Sequence, residues 1–220
     1  MTGTFMISTG DEVEIRRAGD RALLLLPGRA ELLAGMLATV RSAGVPGVTD
    51  LLPAAETLMI TIDADADQAE VAQDLRALLA DLAAWAPVPD DEAGEVIIPV
   101  RYDGVDLEEV AGLLGLGVPE LIAAHTGRVW RCRFVGFTAG FGYLESDQPW
   151  QAVPRRAQSR TAVPAGSVGL ADRYSAVYPR RAPGGWQLIG TTDIAMWDLG
   201  RPQSALLAPG TRVRFVEADL

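Results

Sequence analysis

The sequence predicts an α+β protein in two parts: two helices on one face of a mixed sheet, followed by a β-rich sandwich or barrel. Three observations predict it. Up to about residue 82, hydrophobic spacing runs strand, strand, helix, strand, strand, helix. Residues 86–95, rich in Pro, Asp and Glu, then interrupt the pattern as a linker would. From Val129 onward, short β-like runs alternate with Gly and Pro about every 8–12 residues.

Residues 1–12 are expected to form a flexible N-terminus, and 13–90 the first domain. Within it, 13–26 read as two short strands about a turn at Ala18-Gly19-Asp20. Leu32, Leu33, Met36, Leu37 and Val40 share a helical face that ends at Gly44 and Pro46. Residues 47–53 and 57–62 read as strands. The strongest helix carries Val71, Leu75, Leu78, Leu79 and Leu82, with Asp67 and Glu70 as a capping-box-like start. Val96–Val100 is a further strand that could complete this first sheet. Residues 91–105 are expected to connect the domains, and 106–220 to form the second. There Asp106 caps a helix through Leu107, Val110, Leu113 and Leu114. Gly115-Leu116-Gly117 breaks it, and Pro119 opens a second helix. The pair has helix-turn-helix length, but residues 103–124 hold five acidic residues and no arginine, which argues against nucleic acid. Strands are expected at Val129–Val135, Val168–Leu170, Ser175–Tyr178, Trp186–Gly190 and Arg212–Val216.

Composition removes several chemistries. All 19 basic residues are arginine, so no lysine is present for a Walker phosphate loop or a Schiff base. A single cysteine, Cys132, rules out an intramolecular disulfide and favours a reducing compartment. One cysteine and one histidine cannot build a Cys/His zinc site, so no metal held by this chain alone is expected. No leader or membrane span is expected, which places the protein in the cytoplasm. The net charge of −10 divides unevenly, into −15 over residues 1–124 and +5 over 125–220. An arginine surplus in the second part suits an anionic small ligand, because guanidinium binds carboxylate and phosphate bidentately.

Five groups could carry chemistry, and most have a structural reading beside the functional one. Residues 135–144 place three glycines among aromatics, which serves a close approach to a ligand or a strand bend under rings. Arg155, Arg156 and Arg160 lie within six residues and read as an anion clamp or a solvated basic loop. Pro164, Gly166, Ser167 and Gly169 form a turn, and Ser167 lacks the nucleophile-elbow pattern of a serine hydrolase. Gly184-Gly185-Trp186-Gln187 offers a hairpin with a core tryptophan, or a pocket wall with an amide to orient a ligand. His125, the only histidine, is a helix-end packing residue or a general acid/base.

Taken in order, several motifs resemble the family of KipI, allophanate hydrolase subunit 1 and the B subunit of 5-oxoprolinase. They are His125-Thr126, Gly136-Phe137-x-x-Gly140-Phe141-x-Tyr143-Leu144, Pro154-Arg155, Val163-Pro164-Ala165-Gly166-Ser167-Val168-Gly169, Tyr178-Pro179, Pro183-Gly184-Gly185-Trp186-x-Leu188-Ile189-Gly190 and Pro209-Gly210-x-x-Val213-Arg214-Phe215. The resemblance implies a ferredoxin-like α/β domain followed by a cyclophilin-like β-barrel. It implies a KipA-like partner (the 5-oxoprolinase C subunit or allophanate hydrolase subunit 2) and a third component, the A subunit of LamB/YcsF type. It further implies ATP-dependent hydrolysis of 5-oxo-L-proline to L-glutamate, with ATP, and Mg alongside it, shared with or held by the partner. On this reading Arg155, Arg156 and Arg160 bind anionic groups. Pro164, Gly166, Ser167 and Gly169 shape the pocket, Gly184 to Gln187 wall it, and His125 and Ser167 join Arg156 in catalysis. Departures at Ala139, Asp172-Arg173-Tyr174-Ser175, Thr191 and Asp193 bear on the substrate, and Met196-Trp197 keeps a urea or allophanate role open. KipI-like inhibition of a histidine kinase, through the acidic first domain, and prolyl isomerase activity are the rival functions.

Overall fold

The computed structural model describes residues 3–7, 10–80 and 95–218. The chain divides into two compact units, Met1–Asp90 and Asp91–Leu220. The linker expected at 86–95 lies, apart from Glu95, outside the described residues.

The first unit contains β1 (Gly3–Met6), β2 (Glu12–Arg17), β3 (Ala22–Pro27), α1 (Leu32–Ala43), β4 (Val48–Pro53), β5 (Leu58–Ile62) and α2 (Gln68–Leu79). Its five strands run in the order β1-β2-β3-β5-β4 and every pairing is antiparallel, not mixed as expected. The N-terminus also departs from expectation. Residues 3–6 pair with Glu12–Ile15 of β2, giving that strand a backbone partner on its outer side. Period-2 alternation sends Val13, Ile15, Leu23, Leu25, Leu58, Ile60 and Ile62 to one face. There they pack with Met36, Leu37 and Val40 of α1 and Val71, Leu75 and Leu79 of α2. Asp67 caps α2 by accepting the Ala69 N–H at 2.6 Å. Gln68 ties the same helix end to the β2–β3 turn, donating to the Ala22 carbonyl at 2.8 Å.

The second unit opens with β6 (Val96–Val100), α3 (Leu107–Leu114) and α4 (Val118–Thr126). Strands β7 (Trp130–Val135), β8 (Gly142–Ser146), β9 (Arg160–Val163), β10 (Ser167–Ala171), β11 (Tyr174–Val177), β12 (Ala182–Gly184), β13 (Gln187–Thr191) and β14 (Arg212–Glu217) follow. Seven of its strands form one sheet, β13-β10-β11-β8-β7-β14-β6, while β9 and β12 form a separate ribbon. Here β6 corrects the expectation that Val96–Val100 completes the first sheet. It pairs in parallel with β14, and Ile98 and Val100 are buried beside Val213 and Phe215. The two edge strands then meet: Arg101 and Thr191 exchange backbone hydrogen bonds of 2.8 Å each, and the Asp106 N–H reaches the Leu188 carbonyl at 3.0 Å. The sheet thus nearly closes into a barrel, which pairs edges that would otherwise be open. Helix α3 packs on β13 and α4 on β14, so the helix pair covers the barrel and shares its core through Leu107, Val110 and Leu121. The architecture is mixed α/β, with a nearly closed barrel-like sheet and few helices. Among the described residues, no helix is long and apolar enough to cross a membrane.

Candidate functional site

Two hollows on the second unit share Phe137. The smaller, of about 250 Å³, is walled by aromatic rings. Phe141 stands perpendicular to Trp186 at 5.4 Å and to Tyr178 at 5.2 Å, and Tyr143 meets Trp186 at 5.6 Å. These rings come together because the β7–β8 hairpin delivers Phe141 and Tyr143, β11 runs into Tyr178, and the turn before β13 supplies Trp186. Gly184 lets the Tyr178 ring close over this turn, since a Cβ there would sit 2.3 Å from the Tyr178 hydroxyl. Ser159 and Pro183 complete the rim.

Arg155 also lines this hollow. It is exposed, and it makes no hydrogen bond or ion pair among the described residues. Its charge acts on Tyr143 and Tyr178, opposing the burial that raises both phenol pKa values. An aromatic slot with one unengaged guanidinium suits a small, flat, singly anionic ligand.

The neighbouring arginines have another task. Arg156 and Arg160 reach the same oxygen of Asp106, at 2.7 and 2.6 Å, and the other oxygen accepts the Leu188 N–H at 2.7 Å. The Asp106 side chain is only 3% exposed, and among the described residues its carboxylate makes no cap bond to α3, contrary to expectation. Two further bonds fasten the pocket wall: the Arg156 N–H donates to the Gly185 carbonyl at 2.9 Å, and Arg160 to the Trp186 carbonyl at 3.4 Å. Arg156 and Arg160 therefore hold residues 185–188 in place, while their charge is met inside the protein.

The other expected site residues are placed around this wall. Gly184, Gly185 and Trp186 line the hollow. Gly169 backs it, with Trp186 Cβ 3.2 Å from where its own Cβ would lie. Gln187 is 2% exposed and points toward Glu109 at 3.5 Å. Ser167 is 2% exposed and Pro164 is exposed, and neither lines either of these two hollows. Gly166, at φ 79°, joins two chain segments by donating to the Tyr178 carbonyl and accepting from the Thr192 N–H. His125 is fully buried. Its Nδ1 lies 2.7 Å from the Tyr102 hydroxyl, its Nε2 3.0 Å from the Ser175 hydroxyl, and its ring stacks on Phe215 at 4.3 Å. Burial pushes its pKa down to about 3, which favours the neutral ring, and His125 is not among the residues lining the smaller hollow. The structure packs the ring between Tyr102, Ser175 and Phe215. Among the described residues, no three His, Cys, Asp or Glu side chains gather to hold a metal ion.

Phe137, Phe141, Tyr143 and Tyr178 are missing from the residue set that the sequence suggested for the pocket. For Phe137, Phe141 and Tyr143 the signal was the aromatic spacing inside the glycine run 135–144, which reads equally well as a strand bend; Tyr178 carried only the Tyr178-Pro179 motif. Thr191 and Asp193 lie at the barrel seam: Thr191 bonds Asp103 at 2.9 Å and Asp193 pairs with Arg101 at 2.6 Å.

The carboxyltransferase domain family, subdomain C and D, matches residues 13–207. The chain belongs to this family, which includes allophanate hydrolase subunit 1 and the B subunit of 5-oxoprolinase. Across 228 residues it is 33% identical to the 5-oxoprolinase B subunit of Bacillus subtilis, covering 92% of each chain. It is 42% identical over 130 residues to the 5-oxoprolinase B subunit of Escherichia coli O157:H7, a match to 58% of this chain and 60% of that protein's length. The crystal structure of Kluyveromyces lactis urea carboxylase superposes on 99% of the chain with a TM-score of 0.79. That match has 17% identity and involves 23% of the larger enzyme, so the likeness is one of fold.

Proposed function

We propose that the chain is one component of an ATP-dependent amidohydrolase complex acting on 5-oxo-L-proline, with two partner subunits, one KipA-like and the other of LamB/YcsF type. The observation that carries this reading is Arg155, an unengaged guanidinium at the mouth of a 250 Å³ slot walled by Phe141, Tyr143, Tyr178 and Trp186. 5-Oxoproline is a small ring with one carboxylate and a lactam, the kind of ligand that such a slot admits. Relatives named as the B subunit of 5-oxoprolinase support the same substrate. The finer description of the fold, a ferredoxin-like domain and a cyclophilin-like barrel, is part of this proposal.

A lactam carbonyl is a weak electrophile, and ATP, when bound, supplies the phosphoryl group that turns its oxygen into a leaving group. The residues present fit an anionic phosphate group. Arg180 lines the larger hollow and is paired with no carboxylate among the described residues. Without lysine, guanidinium groups must supply the positive charge from this chain. In the proposed mechanism Arg155 anchors the substrate carboxylate, the aromatic walls orient the ring and exclude water, and Asp106 fixes the wall through Arg156 and Arg160. Any magnesium would travel with the phosphates or be held by a partner.

The test is to co-produce the chain with its two partner subunits and to measure L-glutamate formed from 5-oxoproline and ATP. Absence of glutamate ends the proposal. Arg155→Ala in the active complex is expected to raise KM for 5-oxoproline by at least about tenfold, the worth of one charge-assisted pair.

A further inference from the structure

The larger hollow, of about 580 Å³, lies on the other side of Phe137 and is lined by Phe137, Thr138, Ala139, Pro179, Arg180 and Trp197. Three of its side chains are exposed, although Phe137 also packs edge-on against Phe141. Phe137 is 58% exposed and Trp197 42% exposed, and the two rings make no contact with one another among the described residues. Phe137 also holds φ 63°, a conformation that bulky residues avoid and that stays only where surrounding bonds impose it. Those bonds are present: Gly136 N–H to the Phe141 carbonyl, Thr138 N–H to the Gly136 carbonyl and Phe141 N–H to the Thr138 carbonyl. Trp197 is fixed as well, by its bridge to Ala205 and by the Asp198 N–H donating to the Ser204 carbonyl. The third feature is Arg180, which gives its Nε–H to the Thr138 hydroxyl at 2.7 Å and pairs with no carboxylate among the described residues.

Exposed rings on a hydrogen-bonded backbone, beside a guanidinium with no carboxylate partner among the described residues, match a ligand with a flat ring and an anionic tail. Stacking on an aromatic ring suits any nucleobase, and guanidinium forks match phosphate oxygens. We propose that this hollow is a nucleoside triphosphate site, with the base on the Trp197 and Phe137 faces and the phosphates on Arg180. Phe137 then separates the nucleotide from the ligand held by Arg155. This deepens the proposed function, on which it rests for the expectation of a phosphate donor.

The test is direct binding to the isolated chain, followed by calorimetry and tryptophan fluorescence, with ATP and magnesium, adenosine, inorganic tripolyphosphate and magnesium chloride alone as separate arms. ATP is expected to bind saturably and to quench fluorescence. Arg180→Ala is expected to weaken it at least about tenfold, Arg155→Ala to change it less than about threefold, and Trp197→Phe to remove most of the quench. Circular dichroism confirms that each variant is folded. No saturable binding at millimolar ATP, affinity indifferent to Arg180→Ala, or tripolyphosphate binding as tightly as ATP overturns the proposal. Each of these outcomes is independent of the glutamate assay, so the nucleotide site and the substrate reading fail separately.

Discussion

His125 shows how burial decides the chemistry of a residue. In the unfolded chain the imidazole takes up a proton near its ordinary value of 6.5, whereas the folded ring resists until about pH 3. Between those values the unfolded state binds more protons. Stability from this group is therefore complete above about pH 6.5 and falls toward pH 3 by about 1.4 kcal/mol per unit. A His125→Gln variant, less stable at neutral pH, is expected to lose that slope, and urea unfolding from about pH 7 to about pH 5 measures it. Phe137 is the opposite case, a strained and exposed ring. Phe137→Gly relieves about 1–3 kcal/mol of backbone strain while losing the edge contact with Phe141 at 5.4 Å. Its stability is expected to stay within about 1 kcal/mol of wild type in a thermal melt, not the roughly 3–5 kcal/mol loss of a buried phenylalanine.

At the scale of elements, the wall of the smaller hollow is set by a residue that precedes it by some eighty positions. Asp106, at the start of α3, gathers Arg156, Arg160 and the Leu188 N–H around one buried carboxylate. Asp106→Asn removes the charge that both arginines face. With the arginines still 22–32% exposed, the expected loss is about 3 kcal/mol, the low end for breaking a buried ion pair, read by urea unfolding. The helices were legible because their apolar spacing is local: Leu33, Met36, Leu37 and Val40, and Val71, Leu75 and Leu79, are the residues that reach the first core. Strands β8, β9 and β12 were not legible. Each is three to five residues long and carries glycine, charge or proline that reads as loop until a neighbouring strand pairs with it.

For the second unit as a whole, the decisive event is closure of its sheet. Val96–Val100 reads as a strand that could complete the first sheet, and its five apolar residues do not say which sheet it joins. Parallel pairing with β14 and the seam between Arg101 and Thr191 assign it to the barrel. The seam is tight. A Cβ at Gly104 would meet the Leu188 carbonyl oxygen and the Ile189 carbonyl carbon, both at 2.3 Å. Gly104→Ala is therefore expected to cost about 3 kcal/mol, the upper end for overpacking, because backbone and not a flexible side chain must yield. Chemical denaturation with Gly112→Ala as a control checks this, since a Cβ at Gly112 meets nothing within 4 Å.

The sequence by itself determined the helices, most strands, the family, and the presence of an arginine-rich, lysine-free second part, because these depend on local spacing, motif order and composition. Tertiary structure alone decided which arginine is available. Arg155, Arg156 and Arg160 are equivalent as letters, but a distant carboxylate satisfies two of them and leaves the third facing the aromatic slot. Charge pairing is settled by proximity in space, and spacing along the chain does not encode it.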